Sequence, residues 1–537
     1  MRIGSMNLDE VAVSLGVRGE VEALSIHGVP AITKNPDSGI MSLLIVLKEN
    51  NALKIKRKRV LPNLSYSVII GGESLAKDSS DEVYGGVAAH LFLFPYLSMI
   101  NGEKLHGMEE EYKRHIIVES LRNLILEHQL ASSRVVIKPE YFLYEKLRRL
   151  SVTYPPSRPL IRAVFTSTWT SKAVKMSIKG FERAITKLVE ERILTDVGEG
   201  YSPTPSFVEE VLSSSTVYQR LSDELEHAFR LYLTSGQASS LDFLRNVEFN
   251  FKTLIPPRLP DPSRMLYIQT SLGLQPLMEK LGIRELVEKV YGINASKVKV
   301  KRIGGVLNSA YVASFKTNGG EERIFMKKFL NWTDFKWVIA WLWALGVKNF
   351  SVLASTRMGN EIFFVNKLAE LGFNTAEILH VSWPKKIIAQ RYINGLDGVR
   401  SLLKGLGTER FIEVSRTMGR ILAELHSKDI TMGDCNPHSF LFTKDGEVYL
   451  IDLEQCSFGG LRDWDIAELL FYTAHYLDGD NAERFASETV KGYLEKGERD
   501  VVEGALKQKY SRLLTPWTPI WIQRRVEKGV RKVLETL

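Results

Sequence analysis

Short apolar runs, helical periodicity and glycine- or proline-rich turns alternate along the chain, and this pattern predicts several domains of mixed α/β structure. In the N-terminal part, the apolar runs 42–47 and 68–70 have the length of buried strands. The segment 109–129 is the longest helical stretch of this part. Strands followed by a long helix predict an α/β domain over residues 1–153.

The middle of the chain contains an amphipathic helical pattern. Residues 177–194 place Ile178, Phe181, Ile185, Leu188 and Val189 at helical spacing. A glycine-rich turn and a short strand follow at 197–203, and this order indicates a winged helix within residues 158–254. Two uses stay open: packing between domains, which the glutamates of the same segment favour, and contact with nucleic acid through a basic face. That face consists of Lys172, Lys175, Lys179, Arg183 and Lys187.

Proline clusters at 154–159 and 255–262 predict extended connectors, because proline is excluded from helix interiors. The clusters divide the chain into an α/β domain (1–153), a winged-helix and helical domain (158–254), a helical linker (262–294), a two-lobed domain (295–480) and a C-terminal helical extension (481–537).

Composition narrows the class of protein. Of the 537 residues, 44% are hydrophobic and 25% are charged, as in folded globular domains. A net charge of +8 permits contact with nucleic acid or a nucleotide without requiring it. The basic run 54–59 is interpreted as a solvated loop or strand edge, with a phosphate-contacting patch as the alternative. Two cysteines, Cys435 and Cys456, favour a reducing compartment without disulfides. The N-terminus lacks a signal-peptide pattern, and the longest apolar run has 11 residues against the ~20 that span a bilayer. We therefore expect a cytoplasmic protein with no membrane partner.

The region after residue 295 opens with a candidate phosphate cradle. Gly304 and Gly305 separate two alternating strand patterns, 298–302 and 311–315. Glycine lets a turn approach a phosphate group closely, and Asn308 could add a donor. Alone, a paired glycine of this kind indicates only a turn.

A lysine interrupts the apolar strand pattern that follows, and a buried charge needs a partner or a ligand. Lys327 follows Phe325 and Met326 in this strand and is preferred over Lys328 as the phosphate-binding lysine. Glu361, at the start of a predicted helix, is its expected partner; a first-turn acid favoured by the helix dipole is the alternative.

Two further segments of this region have predicted roles. A helix rich in tryptophan is predicted over 332–350, as core or as a contact with another domain. The strand 387–395 suits a connector between two lobes, where adenine would meet backbone groups near Gln390 and Tyr392.

Acidic residues at the ends of two later strands complete the candidate site. Asp434 lies in a loop before the strand pattern 440–442, and Asp452 and Glu454 end the strand pattern 446–451. A hairpin that brings these loops to one cleft would make Asp434 a base and Asp452 a metal ligand. Asp465, at the start of a helix, is expected to cap or brace the loop of Asp434.

These residues, in this order and spacing, resemble the protein-kinase-like superfamily over residues 295–480. The nearest likeness is to short, atypical archaeal members such as RIO-type kinases and small tRNA-modification-associated kinases, and to aminoglycoside or choline phosphotransferases. The resemblance implies a bilobal catalytic domain that uses ATP and Mg²⁺. It implies a phosphate loop at Gly304 and Gly305, an ion pair of Lys327 with Glu361, a catalytic Asp434, and metal binding by Asp452, Ser439 and Glu454.

Two parts of the sequence depart from the families that they resemble. The histidine and the metal-binding asparagine of the kinase catalytic loop are Met432 and Ser439 here, so a slow or merely nucleotide-binding protein is the alternative to an active kinase. Residues 27–46 have a faint likeness to polymerase-β-type nucleotidyltransferases. They lack the paired metal-binding aspartates, with Asp37 the one nearby acid, so we expect no nucleotidyl transfer.

The preferred function is that of an ATP-dependent serine/threonine protein kinase with a protein substrate that the N-terminal domains recruit. The first alternative is a small-molecule kinase of the aminoglycoside or choline type, although the basic segment 524–532 disfavours a cationic acceptor. The second is a nucleic-acid-associated regulatory protein whose kinase fold serves as sensor or scaffold.

Overall fold

The computed structural model describes residues 2–3, 6–17, 19–35, 37–49, 53–56, 61, 63–214, 255–303, 309–317, 319–330, 350–351 and 353–536. The predicted phosphate-loop residues Gly304, Gly305 and Asn308, and residues 332–349 of the predicted tryptophan-rich helix, lie outside this set. The chain divides into two compact units, residues 1–127 with 135–267 and residues 128–134 with 268–537. In the described part of the chain, every helix is too short or too polar to cross a membrane.

The first unit contains a mixed five-stranded sheet. In chain order its elements are β1 (Arg2–Ile3), β2 (Met6–Asn7), α1 (Leu8–Ser14), β3 (Val21–Gly28), α2 (Val29–Thr33), β4 (Met41–Leu47), β5 (Lys54–Lys56), β6 (Leu64–Gly71), α3 (Gly72–Asp81), β7 (Tyr96–Ile100) and α4 (Gly102–His128). The strand order is β5-β6-β4-β3-β7, with β4 and β6 parallel and the other pairs antiparallel. All seven residues of β4 are buried, as in a central strand covered on both faces. The apolar runs predicted as strands lie within β4 and β6.

The rest of the first unit is a helical group with a small hairpin. Its elements are β8 (Val135–Ile137), α5 (Glu140–Thr153), α6 (Arg158–Phe165), α7 (Thr170–Glu190), β9 (Leu194–Asp196), β10 (Tyr201–Pro203) and α8 (Pro205–Ser214). Strand β10 pairs antiparallel with both β8 and β9. The apolar face predicted for α7 is buried except at Val189, which is half-buried. The helix ends at Glu190, before the predicted end at 194, and Leu194 starts β9. The proline cluster at 154–159 leads directly into α6 and lies inside this unit.

The basic face of α7 is partly neutralised. Arg183 lies 2.9 Å from Glu109 of α4, and Lys187 pairs with Glu110 of the same helix. Lys172, Lys175 and Lys179, in the first half of α7, are exposed. A winged helix that contacts nucleic acid therefore stays a prediction, with its basic surface reduced to these three lysines.

The first part of the second unit contains a five-stranded antiparallel sheet and the elements around it. Its elements up to the connector are β11 (Leu266–Thr270), β12 (Gly273–Pro276), α9 (Ile283–Tyr291), β13 (Lys299–Arg302), β14 (Ser309–Thr317), β15 (Gly320–Lys328), α10 (Ala354–Glu370), β16 (Asn374–Thr375), β17 (Ile378–Ser382), β18 (Ile387–Arg391) and β19 (Gly395–Asp397). The sheet order is β13-β14-β15-β18-β17. Ile324 and Met326 of central strand β15 pack into a core with α9. Because side chains alternate along a strand, Phe325 and Lys327 point to the opposite face.

The remainder of the second unit is mainly helical. Its elements are α11 (Gly398–Gly405), α12 (Glu409–Ser427), β20 (Ile430–Thr431), β21 (Phe440–Thr443), β22 (Val448–Leu450), β23 (Ser457–Phe458), α13 (Arg462–Ala474), α14 (Gly479–Leu494), α15 (Arg499–Ala505), α16 (Gln508–Leu514) and α17 (Ile520–Thr536). Strands β21 and β22 form the predicted hairpin. Helix α14 packs on α12 and α17. A Cβ atom at Gly419 or Gly492 would overlap the backbone of the facing helix, so these glycines permit the close approach of α12 and α14.

Candidate active site

A cavity of about 550 Å³ in the second unit collects most of the predicted site residues. Lys327, Glu361, Gln390, Tyr392, Asp434, Asp452 and Glu454 all line it. Ser439 is buried and does not line this cavity. Elements separated by more than a hundred residues of sequence therefore place their polar side chains at one site.

Lys327 lies at the centre of a cluster of acids. Its Nζ is 3.2 Å from Glu361 Oε2 and 3.0 Å from Glu454 Oε2, and it also contacts Asp452 Oδ1. Only 5% of Lys327 is exposed. Burial by itself lowers the pKa of Lys327, but the three carboxylates outweigh it and hold this pKa well above its usual value. Lys328, on the other face of β15, is exposed.

Glu361 reaches Lys327 from the middle of α10. The sequence prediction placed it at the start of its helix, and this is wrong, because α10 already begins at Ala354. The alternative role as a first-turn acid is therefore excluded. Glu361 is 1% exposed, and burial raises its pKa against the opposing effect of Lys327. The carboxylate also accepts a 3.4 Å hydrogen bond from Gln390 Nε2.

Arg357 is a residue of the site that the sequence reasoning missed. Arg357 is the fourth residue of α10 and is fully buried. Its Nη1 lies 3.4 Å from Glu454 Oε1, and its Nη2 donates a hydrogen bond to the Leu330 carbonyl oxygen at 2.6 Å. Asn360 of the same helix donates to the Glu454 carbonyl. Glu454 is therefore held between Lys327 and Arg357. The signal in the sequence was an arginine one helical turn before Glu361, and a buried arginine requires an anionic partner.

Asp434 lies in the loop between β20 and β21, in the same cavity as the Lys327 cluster. Asn436 Nδ2 donates to its Oδ1 at 2.9 Å. Burial, with the charge of Asp452 as second cause, raises the pKa of Asp434 to about 6, although the Asn436 hydrogen bond opposes this shift. A carboxyl with this pKa exchanges protons near neutral pH, as a general base requires.

Asp465 braces the loop of Asp434, as the sequence predicted. Its fully buried carboxylate accepts the backbone N–H groups of Met432 at 2.7 Å and Gly433 at 2.8 Å. His426 contacts the same carboxylate at 3.2 Å and Tyr493 at 2.9 Å. The brace uses the backbone of Met432, so it does not depend on a histidine side chain at that position.

A second buried acid supports the loop from the same helix. Glu468, one turn after Asp465 in α13, accepts the N–H of Cys435 at 2.8 Å. The sequence reasoning missed this residue, since its spacing from Asp465 is simply that of a helical face. Helix α13 thus holds three backbone amides, two before and one after Asp434, through two carboxylates.

Asp452 follows β22 in a left-handed backbone conformation, with φ of 61°. Its side chain is 46% exposed and lines the cavity. Ser439 has a buried hydroxyl with no hydrogen-bond partner among the described residues. The carboxylate of Asp452 is the kind of oxygen ligand that Mg²⁺ prefers, whereas Ser439 lies outside the cavity lining and Glu454 is occupied by two cationic side chains.

The far end of the cavity has groups of both charges. Asp397 and Arg400 line it together with His438. His438 Nδ1 lies 3.6 Å from Asp397 Oδ1, and Nε2 lies 3.2 Å from the Tyr476 hydroxyl. Burial alone would raise the pKa of Asp397, but the hydrogen bond from His438 and the neighbouring donors lower it. This end of the cavity can therefore bind a polar molecule that carries hydroxyl groups.

A known protein family matches the part of the chain that contains the candidate active site. Residues 309–486, less than half of the chain, match the model of the lipopolysaccharide kinase (Kdo/WaaP) family. The chain is similar to the KEOPS complex subunit Bud32 of Pyrococcus abyssi, with 28% identity over 148 residues. That similarity covers 27% of the chain and 65% of the relative, just under two thirds of its length. Both similarities support a protein-kinase-like part of the chain.

Among solved structures, an ethanolamine kinase of Plasmodium vivax matches with 8% sequence identity. The match covers 47% of this chain and 86% of that one, at a TM-score of 0.28. A score this low adds no argument about the fold.

Proposed function

We propose that the second unit is an ATP-dependent phosphotransferase that moves the γ-phosphoryl group of ATP to a hydroxyl group. The observation that carries the proposal is the meeting of Lys327, Glu361, Asp434 and Asp452 at one cavity. A lysine fixed by a buried glutamate, beside two further carboxylates, is the set that phosphoryl transfer uses for positioning and for charge stabilisation.

Lys327 binds phosphate oxygens in this mechanism. Glu361, held on the rigid helix α10, keeps the ammonium group at the cavity, while the more exposed Asp452 is the partner that a nucleotide displaces. The residues 390–392 at the end of β18 border the adenine position. Gly304, Gly305 and Asn308 complete the phosphate cradle in the proposal, as the sequence resemblance implies.

Asp434 orients the acceptor hydroxyl and takes up its proton. The bond between the acceptor oxygen and the γ-phosphorus forms, the bond from that phosphorus to the β,γ-bridging oxygen breaks, and ADP leaves with this electron pair. Asn436 and the Asp465 brace hold Asp434 in place. Asp452 would hold Mg²⁺, and this ion would neutralise the phosphate charge; the sequence resemblance implies Ser439 and Glu454 as further ligands.

We propose a serine or threonine side chain of a protein as the acceptor. The exposed polar side chains Arg400 and His438 line the cavity, and a basic helix, α17, ends the unit. These features suit a peptide better than a cationic small molecule. The finer domain boundaries, with a winged helix between residues 158 and 254, belong to the same proposal.

A second acceptor class is a saccharide hydroxyl. The family whose model matches residues 309–486 is a lipopolysaccharide kinase family. The hydrogen-bonding groups Asp397 and His438, which line the same cavity as Asp434, suit a sugar equally well.

The test is phosphate transfer by the purified full-length protein with γ-labelled ATP and Mg²⁺. Wild type should label itself or an added unstructured protein rich in serine, and Asp434→Asn should abolish the labelling. Asp445→Asn is the matched control, because Asp445 is an exposed acid in the turn of the same hairpin. Labelling of added monosaccharides without labelling of protein would show that the acceptor is a saccharide hydroxyl and not a protein side chain. No label in any acceptor, with no Mg²⁺-dependent ATP binding, would refute it.

A further inference from the structure

The short segment 128–134 belongs to the second unit, although its neighbours in sequence belong to the first. Helix α4 ends at His128, Gln129 takes a left-handed conformation with φ of 54°, and a 3₁₀ helix runs from Gln129 to Arg134. The segment packs along α10, the helix that carries Glu361. We define these seven residues as the buttress.

Helix α10 is enclosed on all sides around Glu361. Every residue from Arg357 to Val365 is buried. A helix buried on its whole circumference needs a covering element on each face. Glu361 faces the cavity, and Arg357 faces Glu454. The opposite face of α10 therefore requires another partner.

The buttress covers that opposite face. At 100° per residue, Gly359 lies about 200° around the helix from Glu361. A Cβ atom on Gly359 would lie 2.9 Å from the His128 carbonyl oxygen and 3.1 Å from Gln129 Cβ. The backbones of buttress and helix therefore meet at Gly359, with no room for a side chain.

Two further contacts fix the buttress in register with α10. Arg134 lies 2.6 Å from Glu370, and its guanidinium group lies 5.9 Å from the Phe363 ring centroid. One face of α10 carries Gly359, Phe363 and Glu370, which recur at helical spacing. At its other end the buttress contacts the turn between β17 and β18, where His128 and Trp383 have ring centroids 4.6 Å apart.

From this geometry we infer that the buttress is a positioning element for Glu361, so that the Lys327–Glu361 pair depends on residues 128–134 of the N-terminal half of the chain. The inference rests on the proposed function for its kinetic consequence. The catalytic part would then be incomplete if it began at the proline cluster 255–262. A 1 Å error in placing a catalytic group can cost roughly 100-fold in rate.

Gly359→Ala in the full-length protein tests the inference. Alanine favours helix over glycine, so the substitution alone does not weaken α10, but its Cβ must displace the buttress. We expect kcat for phosphate transfer to fall roughly 10- to 100-fold and the Kd for ATP to rise, because Glu361 holds the lysine that is proposed to bind phosphate. Hydrogen exchange of the amides 357–365 should become faster.

Gly107→Ala is the matched control, since Gly107 lies in helix α4 with nothing within 4 Å of its Cβ position. It should leave kcat and hydrogen exchange in α10 unchanged. A second test exchanges the charges of the Arg134–Glu370 pair: Arg134→Glu and Glu370→Arg should each lower kcat, and the double variant should recover it. These charge-exchange variants also test the role of the buttress if Gly359→Ala fails to fold.

The inference is wrong if Gly359→Ala and Gly107→Ala have equal kcat and equal exchange in α10, or if the charge exchange gives no recovery. Failure of the proposed function gives a different result. In that case wild type neither transfers phosphate nor binds Mg²⁺–ATP, and hydrogen exchange of residues 357–365 still decides whether the buttress holds α10.

Discussion

Removal of the Asp465 carboxylate should destabilise the second unit and displace the loop of Asp434. In Asp465→Ala, the N–H groups of Met432 and Gly433 lose their acceptor inside the protein. A buried donor left without a partner costs about 1–3 kcal/mol, so two donors cost about 2–6 kcal/mol. Asp465→Asn keeps one acceptor oxygen and should cost about half as much.

Differential scanning calorimetry of the full-length protein measures this loss. For domains of this size class each kcal/mol lowers Tm by about 2–4 °C, so Asp465→Ala should lower the Tm of the second unit by roughly 4–24 °C. Asp480→Asn is the control: its side chain is 88% exposed, and its effect should stay within about 0.5 kcal/mol.

Phosphate transfer gives the second readout for the same variants. Asp465→Asn should lose more in kcat than in affinity for ATP, because the loop carries Asp434 and not the lysine that binds phosphate. A Tm change for Asp465→Ala no larger than that for Asp480→Asn would show that the two backbone hydrogen bonds do not support the loop.

Three further outcomes follow from the site and from α7. Lys327→Met should abolish transfer and destabilise the unit by about 3–5 kcal/mol in urea unfolding, because Glu361 loses its cationic partner, whereas Lys328→Met should leave both nearly unchanged. The rate kcat/KM should fall about tenfold per pH unit below pH 6, where Asp434 with its pKa of about 6 becomes protonated. Asn436→Ala removes a hydrogen bond that lowers this pKa, so the midpoint of the pH profile should move upward. If α7 contacts nucleic acid, replacing Lys172, Lys175 and Lys179 by alanine should abolish a gel shift and its salt dependence, while Arg183→Ala should have a small effect because Glu109 already neutralises that side chain.

Local patterns predicted much of the secondary structure after residue 295, whereas residues 262–294, predicted as a helical linker, contain strands β11 and β12 before helix α9. Alternation predicted β13 and β14, an apolar run interrupted by a lysine predicted β15, and the spacing of acids with apolar strands predicted the hairpin of β21 and β22. Along β15, the preference for Lys327 over Lys328 agrees with the strand period, since Ile324 and Met326 must enter the core. Where one face of a strand is buried, local sequence fixes which residue enters a cavity.

Long-range contacts account for what the sequence did not reveal. Gly359 interrupted the helical pattern of α10, so the predicted start of the helix came too late. The reason for this glycine lies more than 220 residues earlier, at His128, whose carbonyl oxygen occupies the space of its side chain. Arg357 and Glu468 were missed for the same reason, because their partners are set by tertiary packing and not by spacing along the chain.

The left-handed backbone at Asp452 restricts which residues can replace it, independently of any metal. Aspartate, asparagine and glycine adopt this conformation readily, whereas other side chains pay about 1–2 kcal/mol for it. An alanine at this position would therefore combine the loss of a charge with a distorted turn after β22. Asparagine removes the charge and keeps the turn. We therefore expect substitutions at position 452 during evolution to be asparagine or glycine before any larger residue.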